Sequence, residues 1–333
     1  MVRARGGAVV RRATIAATVL GIAAGTALVG YFGFREVGRA LFAVGWIGFF
    51  AIVIYHLAGM VLLGVCWYVL TPHSAPFRAF VWGRVIRDSA SEVLPLSQLG
   101  GFILGARAAM LVGLSGAAAI ASTIVDVTVE VLGQIGYTAI GLAILAHLRP
   151  DAPMVDWGAL GLAGGLIAIV GFVTVQRRGS KLIERALWFV ARRWSRGAMA
   201  AVRPVYDELT DIYSRGGAIG LAGILHLAAW IASSVEAWIA LHLMGVDPGI
   251  AAVVAIESLL YAIRSVAFAI PNAVGVQEGA YVLFGGTFGL SPEIALALSL
   301  LKRARDLAIG VPALLAWQVL EGRRLLAQPA TTS

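Results

Sequence analysis

The chain has 333 residues, 59% of them hydrophobic and only 13% charged, with a mean hydropathy of +0.87. That balance excludes a soluble globular domain and points to an all-α integral membrane protein. The net charge of +8 is concentrated in clusters beside apolar runs, with no aromatic–basic module. This argues against nucleic acid as a partner and for cytoplasmic, positive-inside segments.

Arg3, Arg5, Arg11 and Arg12 precede an apolar run over 13–34. The run exceeds the length of a signal-peptide core, so a first transmembrane helix is predicted there. A second span is predicted over 41–70. It holds Cys66, the single cysteine, so no disulfide forms within the chain. The segment 79–113 is interrupted by Pro95 and by Gly100 and Gly101. Its arms, 79–94 and 100–113, are shorter than the ~20 residues of a crossing, which predicts a re-entrant hairpin.

Spans three and four are predicted over 116–147 and 157–176. The stretch 177–215 carries nine basic and four acidic residues with Trp188 and Trp194, and is expected to lie on the cytoplasmic interface. Span five covers 217–244. The segment 248–290 is interrupted by Pro271 and Gly275, giving a second hairpin, and span six covers 292–320, followed by Arg323 and Arg324. The tail 328–333 is expected to be disordered.

The expected architecture is one polytopic domain over 1–333, with about six transmembrane helices, two proline- and glycine-broken hairpins, and both termini in the cytoplasm. Position 41 maps to 217, Pro95 to Pro271 and 116 to 292, each at an offset of 176 residues. Matched elements then cross in opposite directions. The pattern is that of an inverted repeat, about 13–147 and about 157–320, whose broken hairpins meet near the membrane midplane.

Charged groups inside the spans must face inward and pair, because a charge at the bilayer centre costs about 2.5–3.5 kcal/mol or more. Asp126 and Glu130 stand one helical turn apart in span three. Lys302, Arg303, Arg305 and Asp306 stand at the matching depth in span six, and the acidic pair is expected to meet this basic cluster. Its role is either to lock the two halves together or to serve a lipid headgroup or a proton. Glu236 sits at a similar depth in span five. His56, His226 and His242 are isolated in apolar segments and read as interfacial or packing residues, with no metal-ligand spacing.

The first hairpin carries Arg87, Asp88, Glu92, Gln98 and Arg107, and the second Arg264, Asn272, Gln277 and Glu278, with Glu257 on the approach. Some of these must satisfy backbone groups freed at the breaks; the others are candidates to bind a lipid headgroup. No phosphate-cradling glycine loop, HExxH or GxSxG motif occurs. No cofactor, metal or catalytic residue is assigned, and the protein is expected not to be an enzyme.

The run Leu94-Pro95-Leu96-Ser97-Gln98-Leu99-Gly100-Gly101, with Arg107 following, resembles the first signature of the lysylphosphatidylglycerol synthase transmembrane family. The run Ile270-Pro271-Asn272-Ala273-Val274-Gly275-Val276-Gln277-Glu278-Gly279 resembles the second, in the wording of its hopanoid-associated branch. The chain has no room for the aminoacyltransferase domain of lysyl-lipid synthases, and Phe102 stands where many relatives place an acid.

The resemblance implies a flippase-like protein of the bacterial inner membrane whose partner is a membrane lipid, a hopanoid or a phospholipid. Lipid-biosynthetic enzymes are further partners to consider. A largely apolar groove is expected for a hopanoid. The alternative is a membrane-embedded enzyme or scaffold acting in headgroup modification.

Overall fold

The computed structural model describes residues 34–71, 74–94, 98–151, 154–178, 196–267 and 270–327. The predicted first span, Pro95, the tryptophans at 188 and 194 and the C-terminal tail lie outside the described residues. Within them the chain is helical: α1 (Phe34–Ala43), α2 (Gly45–Leu70), α3 (Phe77–Val93), α4 (Gln98–Leu111), α5 (Gly116–Leu148), α6 (Met154–Arg178), α7 (Arg196–Ser214), α8 (Gly216–Leu243), α9 (Ile250–Val266), α10 (Val276–Thr287) and α11 (Pro292–Ala327).

Among the described residues, α2, α5 and α8 are long and apolar enough to cross a membrane. They leave large apolar side chains such as Ile54, Ile120 and Ile224 outward, as lipid-facing helices do. The span expected from 41 begins instead at Gly45, whose φ of +65° separates α2 from the short α1. The sixth predicted span is the 36-residue α11, whose mid-helix charges are taken up by other helices.

Both predicted breaks are present. α3 ends at Val93 and α4 begins at Gln98; α9 ends at Val266, and a 3-10 turn over Pro271–Ala273 leads into α10. Asn272 and Ala273 adopt left-handed φ values of 52° and 44°, and Gly275 follows at 83°. Such backbone favours glycine or asparagine. The freed Gly275 N–H is taken by Glu278 Oε2 at 2.7 Å, which starts α10.

The two hairpins enter from opposite ends of the bundle. One core cluster joins Trp67 near the end of α2, Phe80 near the start of α3, Ala109 near the end of α4 and Ala118 at the start of α5. The other joins Leu145 and Leu241, near the ends of α5 and α8, to Val253 at the start of α9, Phe284 near the end of α10 and Leu296 at the start of α11. Between these apolar ends the bundle centre is polar.

The arms of the first hairpin pack on glycine. A Cβ at Gly105 would come within 2.6 Å of the Arg87 Cβ and 2.8 Å of the Gly83 carbonyl. That closeness holds the Arg87 backbone against α4 and fixes where its side chain is aimed.

Candidate functional site

The centre of the bundle holds two ion-pair clusters joined through the hairpin tips. In the first, Arg84 and Arg87 lie one turn apart on one face of α3, and Asp126 and Glu130 face them from α5. Arg84 makes a forked contact with Glu130, at 2.7 and 3.1 Å, and its Nε donates to Asp88 at 2.8 Å. Arg87 Nη1 donates to Asp126 Oδ2 at 2.7 Å, and Nη2 donates to Glu130. Forked guanidinium–carboxylate pairs are among the strongest polar contacts a protein makes. His226 of α8 adds its Nε2, 3.1 Å from Asp126 Oδ1. The Phe102 ring lies 4.4 Å from the Arg87 guanidinium and covers it by a cation–π contact.

The second cluster centres on α11. Lys302 Nζ lies 2.5 Å from Glu257 Oε2 of α9, whose other oxygen accepts the Tyr281 hydroxyl at 2.6 Å. Arg303 Nε donates to Glu278 Oε1 of α10 at 2.6 Å; Ser299 donates to the same oxygen and in turn accepts from Gln277. Arg305 pairs with Glu236 of α8 and, at 2.6 Å, with Asp306. His56 Nδ1 of α2 lies 2.8 Å from the other oxygen of Glu236.

This pairing corrects two expectations. Asp126 and Glu130 do not meet Lys302, Arg303 and Arg305; they pair with Arg84 and Arg87 of the first hairpin, while Glu92, His56 and His226 pair across the halves. Arg84 and Arg87 reach Asp126 and Glu130 by the length of their side chains, for α3 itself packs on α4, α11 and α2, while α9 packs on α5 and α8 and α10 lies along α11. The signs are exchanged between halves: cations on the hairpin and acids on the span in the first, acids on the hairpin and cations on the span in the second. His56 and His226 are likewise not packing residues, since each is bound to a buried carboxylate. Of the three histidines, only the His242 side chain is substantially exposed, near Asp247.

The tips meet. Arg264 Nη2 lies 2.7 and 2.9 Å from the two Glu92 carboxylate oxygens. Asn272 Nδ2 donates to the Glu92 backbone carbonyl at 2.6 Å. That carbonyl belongs to the last turn of α3, where the helix offers it no partner.

A cavity of about 410 Å³, within the range of small-ligand sites, opens where these parts converge. Its wall includes Arg84, Arg87, Asp88 and Glu92 of α3, Glu130 of α5, Arg264 of α9, and Arg305 and Asp306 of α11. His56 and His226 also line it. Its surface is mainly apolar, as expected of the groove, but polar contacts are not few: four arginines and four carboxylates are set into it. Leu99 and Phe102 of α4, Val127 and Val131 of α5, and Met60 and Leu63 of α2 contribute to its apolar part, and Leu99 is exposed at the bundle surface.

Of the lipid-binding candidates, Arg87, Glu92 and Arg264 reach this wall. Gln277 and Glu278 are buried beside α11, and Asn272 ties the tips together. Arg107 pairs with Glu321 at 2.6 Å, 38% exposed and away from the cavity. Gln98 opens α4, and Gly100 and Gly101 lie in its first turn. Sequence reasoning passed over Arg84, Ser89, Trp230 and Tyr261. Arg84 was readable from its place one turn before Arg87; the aromatic residues were not distinguishable from core. Among the described residues no group of acidic, histidine or cysteine side chains has the arrangement of a metal site.

An all-helical bundle with a charged cavity between opposed broken hairpins defines a multi-pass membrane protein with an internal polar site. The chain matches the model of the lysylphosphatidylglycerol synthase TM region over residues 18–313 and belongs to that family, among membrane proteins of lipid modification and transport. Neither a curated protein nor a solved structure matches it.

Proposed function

We propose that the protein binds the polar head of a membrane lipid in the central cavity and carries it between leaflets, without catalysing a covalent change. The observation that carries this reading is the charged cavity at the contact of two hairpin tips that enter from opposite ends. A lipid whose head sits among Arg87, Glu92, Arg264 and Arg305 can leave its apolar part along the exposed Leu99 side of α4. Alternating access in such an arrangement needs only that the two broken elements part in turn.

A wall on which cations and carboxylates alternate suits a head carrying both donors and acceptors and little net charge. The polyol head of a hopanoid meets that description, and the wording of the second hairpin motif favours it over a phospholipid. We place the protein in the bacterial inner membrane with both termini in the cytoplasm, as its arginine clusters require.

The test is a lipid inventory of separated inner and outer membranes from a hopanoid-making host, with and without the gene. An unchanged hopanoid pool with a shifted distribution supports transport. Loss or accumulation of one chemical species would replace this reading with headgroup modification.

A further inference from the structure

The two histidines of the cavity wall belong to matching constellations. Asp126 has His226 Nε2 on Oδ1, at 3.1 Å, and Arg87 on Oδ2, at 2.7 Å. Glu236 has His56 Nδ1 on Oε2, at 2.8 Å, and Arg305 on Oε1. His226 and Glu236 are ten residues apart on α8, about 15 Å along its axis. The cavity touches both histidines, so it spans the distance between the constellations.

Two further observations give this pairing a meaning. The ion-pair clusters described above contain, among the described residues, six cationic side chains and eight carboxylates. With both imidazoles neutral the network carries an excess of two negative charges, in a bundle centre where unpaired charge is costly. Second, His226 is fully buried, and its Nδ1 has no hydrogen-bond partner although the residue lines the cavity. A neutral ring donating Nε2–H to Asp126 leaves that nitrogen as a bare lone pair.

We propose that the cavity is a two-proton site, with one exchangeable proton at His226–Asp126 and one at His56–Glu236, which together balance the buried network. A proton from cavity water adds to Nδ1 of His226 or Nε2 of His56; the opposite ring N–H stays on its carboxylate, and no other bond breaks. The groups acting on His226 are Arg84 and Arg87 from α3 and Asp126 and Glu130 from α5, with Cys66 of α2 in electrostatic reach of Asp126. Those acting on His56 are Glu236 from α8 and, through it, Lys302, Arg305 and Asp306 from α11, with Tyr55 alongside. On the lipid-transport reading, loss of either proton unbalances the wall that holds the headgroup, so proton exchange and headgroup movement are coupled.

Ring-nitrogen NMR of full-length protein, labelled with 15N-histidine and held in phosphatidylcholine nanodiscs, tests the proton sites without reference to transport. The H56Q and H226Q variants assign the signals. Both rings are expected as imidazolium at neutral pH with the cavity empty; a neutral ring at either position overturns the proposal. Should H226Q fail to fold, H226K supplies the fixed positive charge and is expected to restore the folded yield. A yield from H226K as poor as that from H226Q also overturns it.

The coupling is read in proteoliposomes carrying a fluorescent hopanoid analogue whose polyol head is intact. An imposed pH gradient is expected to change its transbilayer rate several-fold in the wild type and in neither H56Q nor H226K. Lipid movement indifferent to the gradient in the wild type overturns the coupling. Cationic rings without any lipid movement would instead uphold the proton site and overturn the transport reading.

Discussion

Arg264 lies against both carboxylate oxygens of Glu92, at 2.7 and 2.9 Å, joining two residues 172 positions apart on the two opposed hairpins. Beside this contact Asn272 takes the Glu92 carbonyl, so the tips are held by one ion pair and one backbone cap. The second contact answers a need created by the helix break, and Glu92 and Arg264 both stand in the cavity wall.

Arg264→Gln is therefore expected to lower stability by about 1.5–3 kcal/mol, the worth of a charge-assisted hydrogen bond, and to loosen the tips. Thermal unfolding in detergent measures the first effect. Cross-linking between cysteines introduced beside the pair, at 91 and 265, in the C66S background with and without Arg264→Gln measures the second. The charge-reversed pair E92R/R264E should recover part of the stability lost in either single variant; equal loss in the double variant would show that the ion pair holds nothing together.

Asp126→Asn should be more damaging. The carboxylate is fully buried between Arg87, Arg84 and His226, and its neutralisation leaves buried cationic groups short of a partner. Breaking a buried pair in this way costs about 3–5 kcal/mol. Fluorescence-detected size exclusion after heating is expected to show a large fall in the melting temperature.

Arg107→Gln provides the contrast. Its pair with Glu321 is partly exposed and away from the cavity, so a loss of about 0–1 kcal/mol is expected. Lipid distribution in cells should be unchanged. A shift as large as that caused by Arg264→Gln would place Arg107 in the lipid path after all.

The second, third and fifth spans and both breaks were legible because hydropathy over about twenty residues and a proline followed by glycine are local signals. The charges were legible too, since a carboxylate in an apolar run announces itself. Their partners were not. Arg87 finds Asp126 across 39 residues, and His56 finds Glu236 across 180; hydropathy carries no information about which helix faces which. An offset of 176 placed Asp126 opposite Lys302 in sequence terms, but equivalence within a repeat is not contact. The histidines looked isolated for the same reason, having no charged neighbour on their own helix face. The cavity itself arises where α2, α3, α4, α5, α8, α9 and α11 converge, and no single segment encodes it.

Gly105→Ala tests whether the close approach of the hairpin arms positions the site. The added methyl would stand 2.6 Å from the Arg87 Cβ and 2.8 Å from the Gly83 carbonyl. Neither is the free end of a flexible side chain, so α3 and α4 must separate, at about 1–3 kcal/mol for overpacking. Because Arg87 is the residue pushed, its contacts with Asp126 and Glu130 should lengthen and lipid movement should fall with stability. Gly161→Ala in α6 is the control: a Cβ there meets nothing within 4 Å, and alanine's better helix propensity makes the change neutral or stabilising by up to about 1 kcal/mol. If Gly105→Ala behaves like Gly161→Ala in both unfolding and transport, the glycine contact does not set the position of Arg87.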